Sequence, residues 1–173
     1  RIAREVISLA DHIAQRIDEG RLPAEITLCS LVRAGVPYGV MLRRELVRLG
    51  VDVTHYGISI IRDKGLDKVA MDYILERHVK SGILFVDGWT GKGAISNELR
   101  SSWRDIAGCD PILVTLADPS GYAEITGSHD ELLIPSGILG ANISGLISRS
   151  ILNEDVRESG GFHGSIPVHH LAD

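Results

Sequence analysis

The sequence predicts an α/β fold: a doubly wound parallel sheet with helices on both faces and a small cap region. Three observations predict it. Short apolar runs of strand length recur along the chain, each runs into a turn containing glycine or charge, and most of those turns lead into apolar residues at helical spacing. The chain has 173 residues, 44% of them hydrophobic and 24% charged, enough for a single domain with a real core.

The elements follow in order. Ile2, Val6, Leu9, Ile13 and Ile17 form a helical stripe over residues 2–19, which Gly20 and Pro23 end. ITLCSLV (26–32) is a buried strand that passes at once into RAGVPYG. From Val40 the period is helical again through Leu42, Leu46 and Leu49, and Gly50 closes it. VTHYGISII (53–61) is β-branched and suits a strand, RDKGLD is a charged turn, and Asp67 caps a helix running to about His78. ILFVD (83–87) is a strand entering GWTGKG, followed by a helix carrying Ile95, Leu99 and Trp103. ILVTLAD (112–118) is the next strand, and a polar stretch follows it. LLIP (132–135) and a helix with Ile143, Ile147 and Ile151 complete the pattern. The core is expected over about 1–118 and the cap over about 119–173.

Composition excludes several classes. A net charge of −5 argues against general nucleic-acid binding, and no apolar run is long enough for a membrane span. The opening RIAREV is neither a signal peptide nor a natural start, so a cytoplasmic domain belonging to a longer protein is expected. Two cysteines, Cys29 and Cys109, spell no metal motif, and the histidines, His163, His169 and His170 among them, lack ligand spacing.

Parallel sheets bind ligands at the carboxyl ends of their strands. The turns after residues 32, 61, 87 and 118 should all open on that edge. The richest is FVDGWTGKGAIS (85–96). A buried strand delivers Asp87, and Gly88, Gly91 and Gly93 allow backbone N–H groups to turn toward one anion at a helix start. Thr90 offers a hydroxyl and Lys92 a cation for a phosphate, while Asp87 faces a sugar hydroxyl or Mg²⁺. The order is not that of a Walker loop. At SLVRAGVPYG (30–39), Arg33 beside Ala34 and Gly35 suits a second phosphate or a pyrophosphate. Trp89 either stacks on a ligand or braces its turn.

These two loops resemble those of the type I phosphoribosyltransferases over roughly residues 25–120. More closely, HYGISIIRDKGLD, FVDGWTGKGAI and IPSGILGANISGLISRSILN resemble a phosphoribosyltransferase-like subfamily found with bacterial tellurite-resistance and stress-response genes. Some of its members carry the label StiP-type cysteine protease. The resemblance implies a Mg²⁺-dependent transferase using phosphoribosyl pyrophosphate, or another phosphorylated ribose, to build or salvage a nucleotide-like compound. It casts Asp87 and Arg33 as catalytic, Asp87 as the metal contact, and Thr90, Gly91, Gly93, Ala94, Ala34 and Gly35 as phosphate-binding, with Lys92 a further phosphate contact peculiar, like Trp89, to this loop. Arg62, Lys64 and Lys68 would belong to a mobile loop over the site, and Asp118 would reach the base or a metal. Ser136, Asn142 and Ser144 could read a base edge, though turn and cap roles weigh more. A homodimer is compatible with this reading.

One departure matters: Asp87 is followed by Gly88 where the family motif has a second acid. That keeps open a non-catalytic nucleotide-binding regulatory module of a stress-response system. Cysteine hydrolysis ranks below both, because Cys29 falls in a buried strand and needs a nearby base, for which His55 on the neighbouring strand is the candidate.

Overall fold

The computed structural model describes residues 1–32 and 34–130. Arg33, LLIP, the 143–151 helix, Ser136, Asn142, Ser144 and the three C-terminal histidines lie outside the described residues. The elements are α1 (Ile2–Asp18), β1 (Glu25–Val32), α2 (Gly35–Arg48), β2 (Asp52–Ile61), β3 (Gly65–Leu66), α3 (Lys68–Leu75), β4 (Ile83–Trp89), α4 (Ala94–Ala107), β5 (Ile112–Ala117) and β6 (Ile125–Ser128). They form a six-stranded sheet in the order β3-β2-β1-β4-β5-β6. Every pairing is parallel except that of β3 with β2.

Strand parity sorts the core into two layers, because successive side chains of a strand point to opposite faces. Leu28, Leu84, Val86, Val114 and Leu116 pack with Val6, Leu9 and Ile13 of α1 and Leu42 and Leu46 of α2. Cys29, Leu31, Phe85 and Leu113 face the other way, toward Met71 and Ile74 of α3 and Leu99 and Trp103 of α4. Phe85 and Trp103 meet edge to face at 5.1 Å between ring centroids. The sheet is thus wound on both sides, as the alternation of strand and helix predicts.

Several boundaries differ from the sequence expectation, each for a local reason. Helix α2 begins at Gly35 rather than Val40. Pro37 is tolerated there because first-turn N–H groups have no intrahelical partner. The charged turn RDKGLD contains β3: Asp63 adopts φ 62° and Gly65 φ 78°, which turns the chain back so that Gly65 and Leu66 pair with Ile61 and Ile60. Asp67 does cap α3, accepting the Ala70 N–H at 3.1 Å, but the helix ends at Leu75. Part of the polar stretch after Asp118 is strand β6, which gives the sheet its far edge and runs parallel to β5.

Candidate functional site at the carboxyl edge of the sheet

Two helices of 14 residues each start at this edge, α2 and α4, and neither has a side-chain cap on its first turn. Such first-turn N–H groups have no intrahelical partner and carry the positive end of the helix dipole. Helix α3, by contrast, is closed by Asp67. The start of α2 lies directly on β4: a Cβ on Gly35 would sit 2.1 Å from the Val86 carbonyl oxygen and 3.3 Å from the Asp87 Cα. Only glycine allows that approach, so Gly35 is required by packing whatever its ligand role.

Asp87 is partly buried at the centre of this edge. Burial pushes its carboxyl up to about 6, and the N–H of Gly88, 2.7 Å away, offsets this in part. Burial, helped by the negative charge of Asp87, raises the pKa of the Tyr38 hydroxyl on α2. Asp87 is in register with Thr115 of β5, so the two side chains share the α4 face of the sheet. The Thr115 hydroxyl is fully buried and has no hydrogen-bond partner among the described residues. An orphaned hydroxyl beside a carboxyl of raised pKa marks this face of the edge as underpopulated with donors and acceptors. Sequence reading passed over Thr115, because a threonine inside an apolar strand run has no local signature.

The β4–α4 loop is shaped by its own contacts. Thr90 donates its hydroxyl to Asp118 at 2.6 Å, so that proton is not available to a phosphate. Its carbonyl accepts the Gly93 N–H at 3.0 Å. Gly93, at φ 82°, leaves room for the Tyr122 ring, which a Cβ would meet at 2.3 Å. The Ser120 hydroxyl donates to the Gly91 carbonyl. Trp89 lays its ring against Gly91 and is 48% exposed: it braces the turn. Lys92 and Ala94 are exposed at the mouth of the loop.

Asp118 is a tether. Its carboxylate also accepts the N–H groups of Tyr122 (2.9 Å) and Ala123 (2.8 Å). Burial works to raise its pKa, but the hydrogen bonds from Thr90, Ala123, Tyr122 and Gly121 outweigh it and hold the carboxyl below its ordinary value. Both oxygens therefore hold backbone and side-chain donors of the two neighbouring loops. Among the described residues no group of three or more His, Cys, Asp and Glu side chains could hold a metal ion. Asp87 by itself does not make a protein-held Mg²⁺ site.

The 61–66 hairpin, expected to be a mobile cover, is docked on α4. The Asp63 N–H donates to Glu98 at 3.0 Å and the Leu66 N–H to Ser102 at 2.8 Å. Arg62 and Lys64 are exposed on it.

The proposed partnership of Cys29 with His55 fails on parity. Cys29 is in register with Tyr56, whereas His55 is in register with Leu28. Adjacent positions on a strand point to opposite faces, so the thiol and the imidazole lie on opposite sides of the sheet. His55 bonds Ser30 instead, at 2.8 Å. Cys29 is fully buried, and burial pushes its thiol up to about 12. Cys109 is exposed, one residue beyond the Gly108 cap of α4 and so at the opposite, amino edge.

The architecture is that of a phosphoribosyltransferase-like α/β domain. It is similar to the hypoxanthine phosphoribosyltransferase of Trypanosoma cruzi, with a TM-score of 0.57 and 18% identity over 73% of this chain and 75% of that one. The same enzyme in complex with its product IMP gives a TM-score of 0.58 at 17% identity, over 73% and 70% of the two chains. At that identity the likeness establishes the fold and nothing further. The particular family is set by sequence: the chain belongs, over residues 1–173, to the family described as tellurite-like stress resistance cysteine protease StiP. It is 45% identical to the cysteine protease StiP of Acinetobacter baylyi over 184 residues, covering all of this chain and 47% of that protein. The chain thus spans about half the length of the curated relative it matches.

These findings correct the functional expectation. The family and the relative carry the name of a cysteine protease, a hydrolase, so phosphoribosyl transfer, the glycosyltransferase class and the nucleotide-metabolism reading are set aside. The loops that suggested them belong to the fold. The stress-resistance association stands with the family. No described helix is long and apolar enough to cross a membrane.

Proposed function

We propose that this chain is part of a stress-resistance cysteine hydrolase and supplies its substrate-binding edge. The observation that carries the reading is the match to the StiP family over the whole chain, set beside an edge that has two uncapped helix starts and Asp87 between them. Helix N-termini stabilise negative charge, whether on a substrate group or on the oxygen that becomes anionic when a thiolate attacks a carbonyl. A carboxyl near 6 can exchange a proton at neutral pH. Asp87 is accordingly the acid–base group of the edge, and Lys92 the cation at its mouth. The thiol does not come from Cys29, whose burial and high pKa deny it a thiolate. Cys109 is the accessible thiol among the described residues but lies at the opposite, amino edge, so the thiol that acts at this edge comes from a part of the protein outside this chain.

The test uses the full-length protein. Hydrolysis of casein and of a fluorogenic peptide panel is measured before and after iodoacetamide, with the alkylated cysteines mapped by mass spectrometry. Alkylation should abolish hydrolysis while leaving Cys29 unmodified. Cys29→Ala should keep its activity, and Asp87→Asn should lower kcat/KM by about tenfold or more. Hydrolysis that survives complete alkylation of the accessible thiols would overturn thiol chemistry. Loss of hydrolysis in a well-folded Cys29→Ala would overturn the exclusion of that residue.

A further inference from the structure

A second surface lies away from the carboxyl edge. An open groove of about 510 Å³ runs between α2 and β2, lined by Val40, Arg43, Arg44, Val53, Thr54 and His55. Three consecutive strand residues line it, although consecutive residues point to opposite faces. A groove that touches all three therefore follows the rim of the strand, where backbone groups face outward, rather than either face of the sheet.

That rim is open. Strand β3 pairs with β2 only at Ile60 and Ile61, and the Asp67 N–H reaches back to the Ser59 carbonyl at 2.9 Å. Ahead of that point, β2 has β1 on one side and no strand on the other among the described residues. Alternate residues of such a segment direct an N–H and a C=O at solvent, which is a template for another extended chain.

The groove also has a charge preference. Arg43 and Arg44 are exposed and neither pairs with a carboxylate among the described residues, on a chain whose net charge is −5. Burial, with the positive charge of Arg43, holds the His55 imidazole below its ordinary pKa. Val40, 37% exposed, adds an apolar contact on the α2 side. A second copy of this chain is a poor occupant, because two-fold pairing along β2 would bring like arginines toward one another.

We propose that the rim of β2 is a docking site for an extended acidic peptide segment. Such a segment adds as a strand beside residues 52–58 and places carboxylates against Arg43 and Arg44. Backbone hydrogen bonds supply affinity that does not depend on sequence, and the two guanidinium groups select acidic side chains. The site is independent of the hydrolase reading, since none of its residues lies at the carboxyl edge.

The test is fluorescence anisotropy on the full-length protein with three labelled eight-residue probes. One alternates threonine with glutamate, one carries lysine in place of each glutamate, and one is the glutamate peptide with alternate backbone nitrogens methylated. The glutamate probe should bind, and the lysine and N-methylated probes should bind about tenfold more weakly or not at all. The double variant Arg43→Glu/Arg44→Glu should lose the glutamate probe. The milder Arg43→Gln/Arg44→Gln, checked by circular dichroism, should weaken it. Equal binding of glutamate and lysine probes, no effect of N-methylation, or unchanged binding in both variants would overturn the proposal. So would a dimer in sedimentation that seals this rim and excludes the probe.

Discussion

Asp87 and Asp118 stand at the ends of neighbouring strands on the same sheet edge, and they do opposite work. Asp118 accepts the Thr90 hydroxyl and the N–H groups of Tyr122 and Ala123, and its pKa is held below the ordinary value. Asp87 has the Gly88 N–H beside it, and burial lifts it to about 6. The same functional group is thus a structural tether in one place and a poised acid in the other. Partner count separates the two roles: a carboxylate given three or more donors is an anchor, and one given a single donor under a helix start is available for chemistry. Both look alike in sequence, an acid ending an apolar run.

The largest effect should come from breaking the tether. Asp118→Ala strands the buried Thr90 hydroxyl and two backbone donors, and should cost about 2–4 kcal/mol in urea unfolding. Its contribution follows the sign of a lowered pKa: present above the ordinary carboxylate value and lost as pH falls through the folded one. A cost under about 0.5 kcal/mol would show that the loop is held by something else.

Gly93→Val should come next. It forces a β-branched residue to φ 82° and drives its Cβ into the Tyr122 ring, for a loss of about 2–3 kcal/mol. Differential scanning calorimetry would read it as a lower Tm, and an unchanged Tm would mean that the loop relaxes freely.

The smallest effect has the opposite sign. The folded pKa of Asp87 lies above its ordinary value of 3.8, so the folded state is favoured below that value and loses stability as pH rises through about 6. Asp87→Asn should therefore stabilise the protein by about 1–2 kcal/mol at pH 7, with the gain vanishing near pH 4. Destabilisation at pH 7 would place Asp87 with Asp118 among the tethers and collapse the distinction between them.

The legibility of these features follows the range of the forces behind them. Helix and strand identity came through because apolar period is a local property: the 2–19 stripe is α1 almost to the residue, and 83–87 is the body of β4. The Asp67 cap was equally local. Strand β6 and the two-residue β3 were missed, since each exists through pairing with a distant partner and has little apolar period of its own. The loop 87–94 reads in sequence as a phosphate site, and nothing nearby in it shows that Asp118 takes the Thr90 proton.

Sequence alone determined the alternation of strand and helix, the edge on which its loops open and the family to which the chain belongs. These depend on residue order and on hydrophobic period, which are written along the chain. Tertiary structure decided which acid keeps a single donor and which is tethered, that Cys29 and His55 lie on opposite faces, and that β2 ahead of Ile60 has a strand on one side alone among the described residues. Each of these depends on register and burial between segments far apart in sequence, and a carboxyl, a thiol or a strand edge acquires its chemistry only from what is brought beside it.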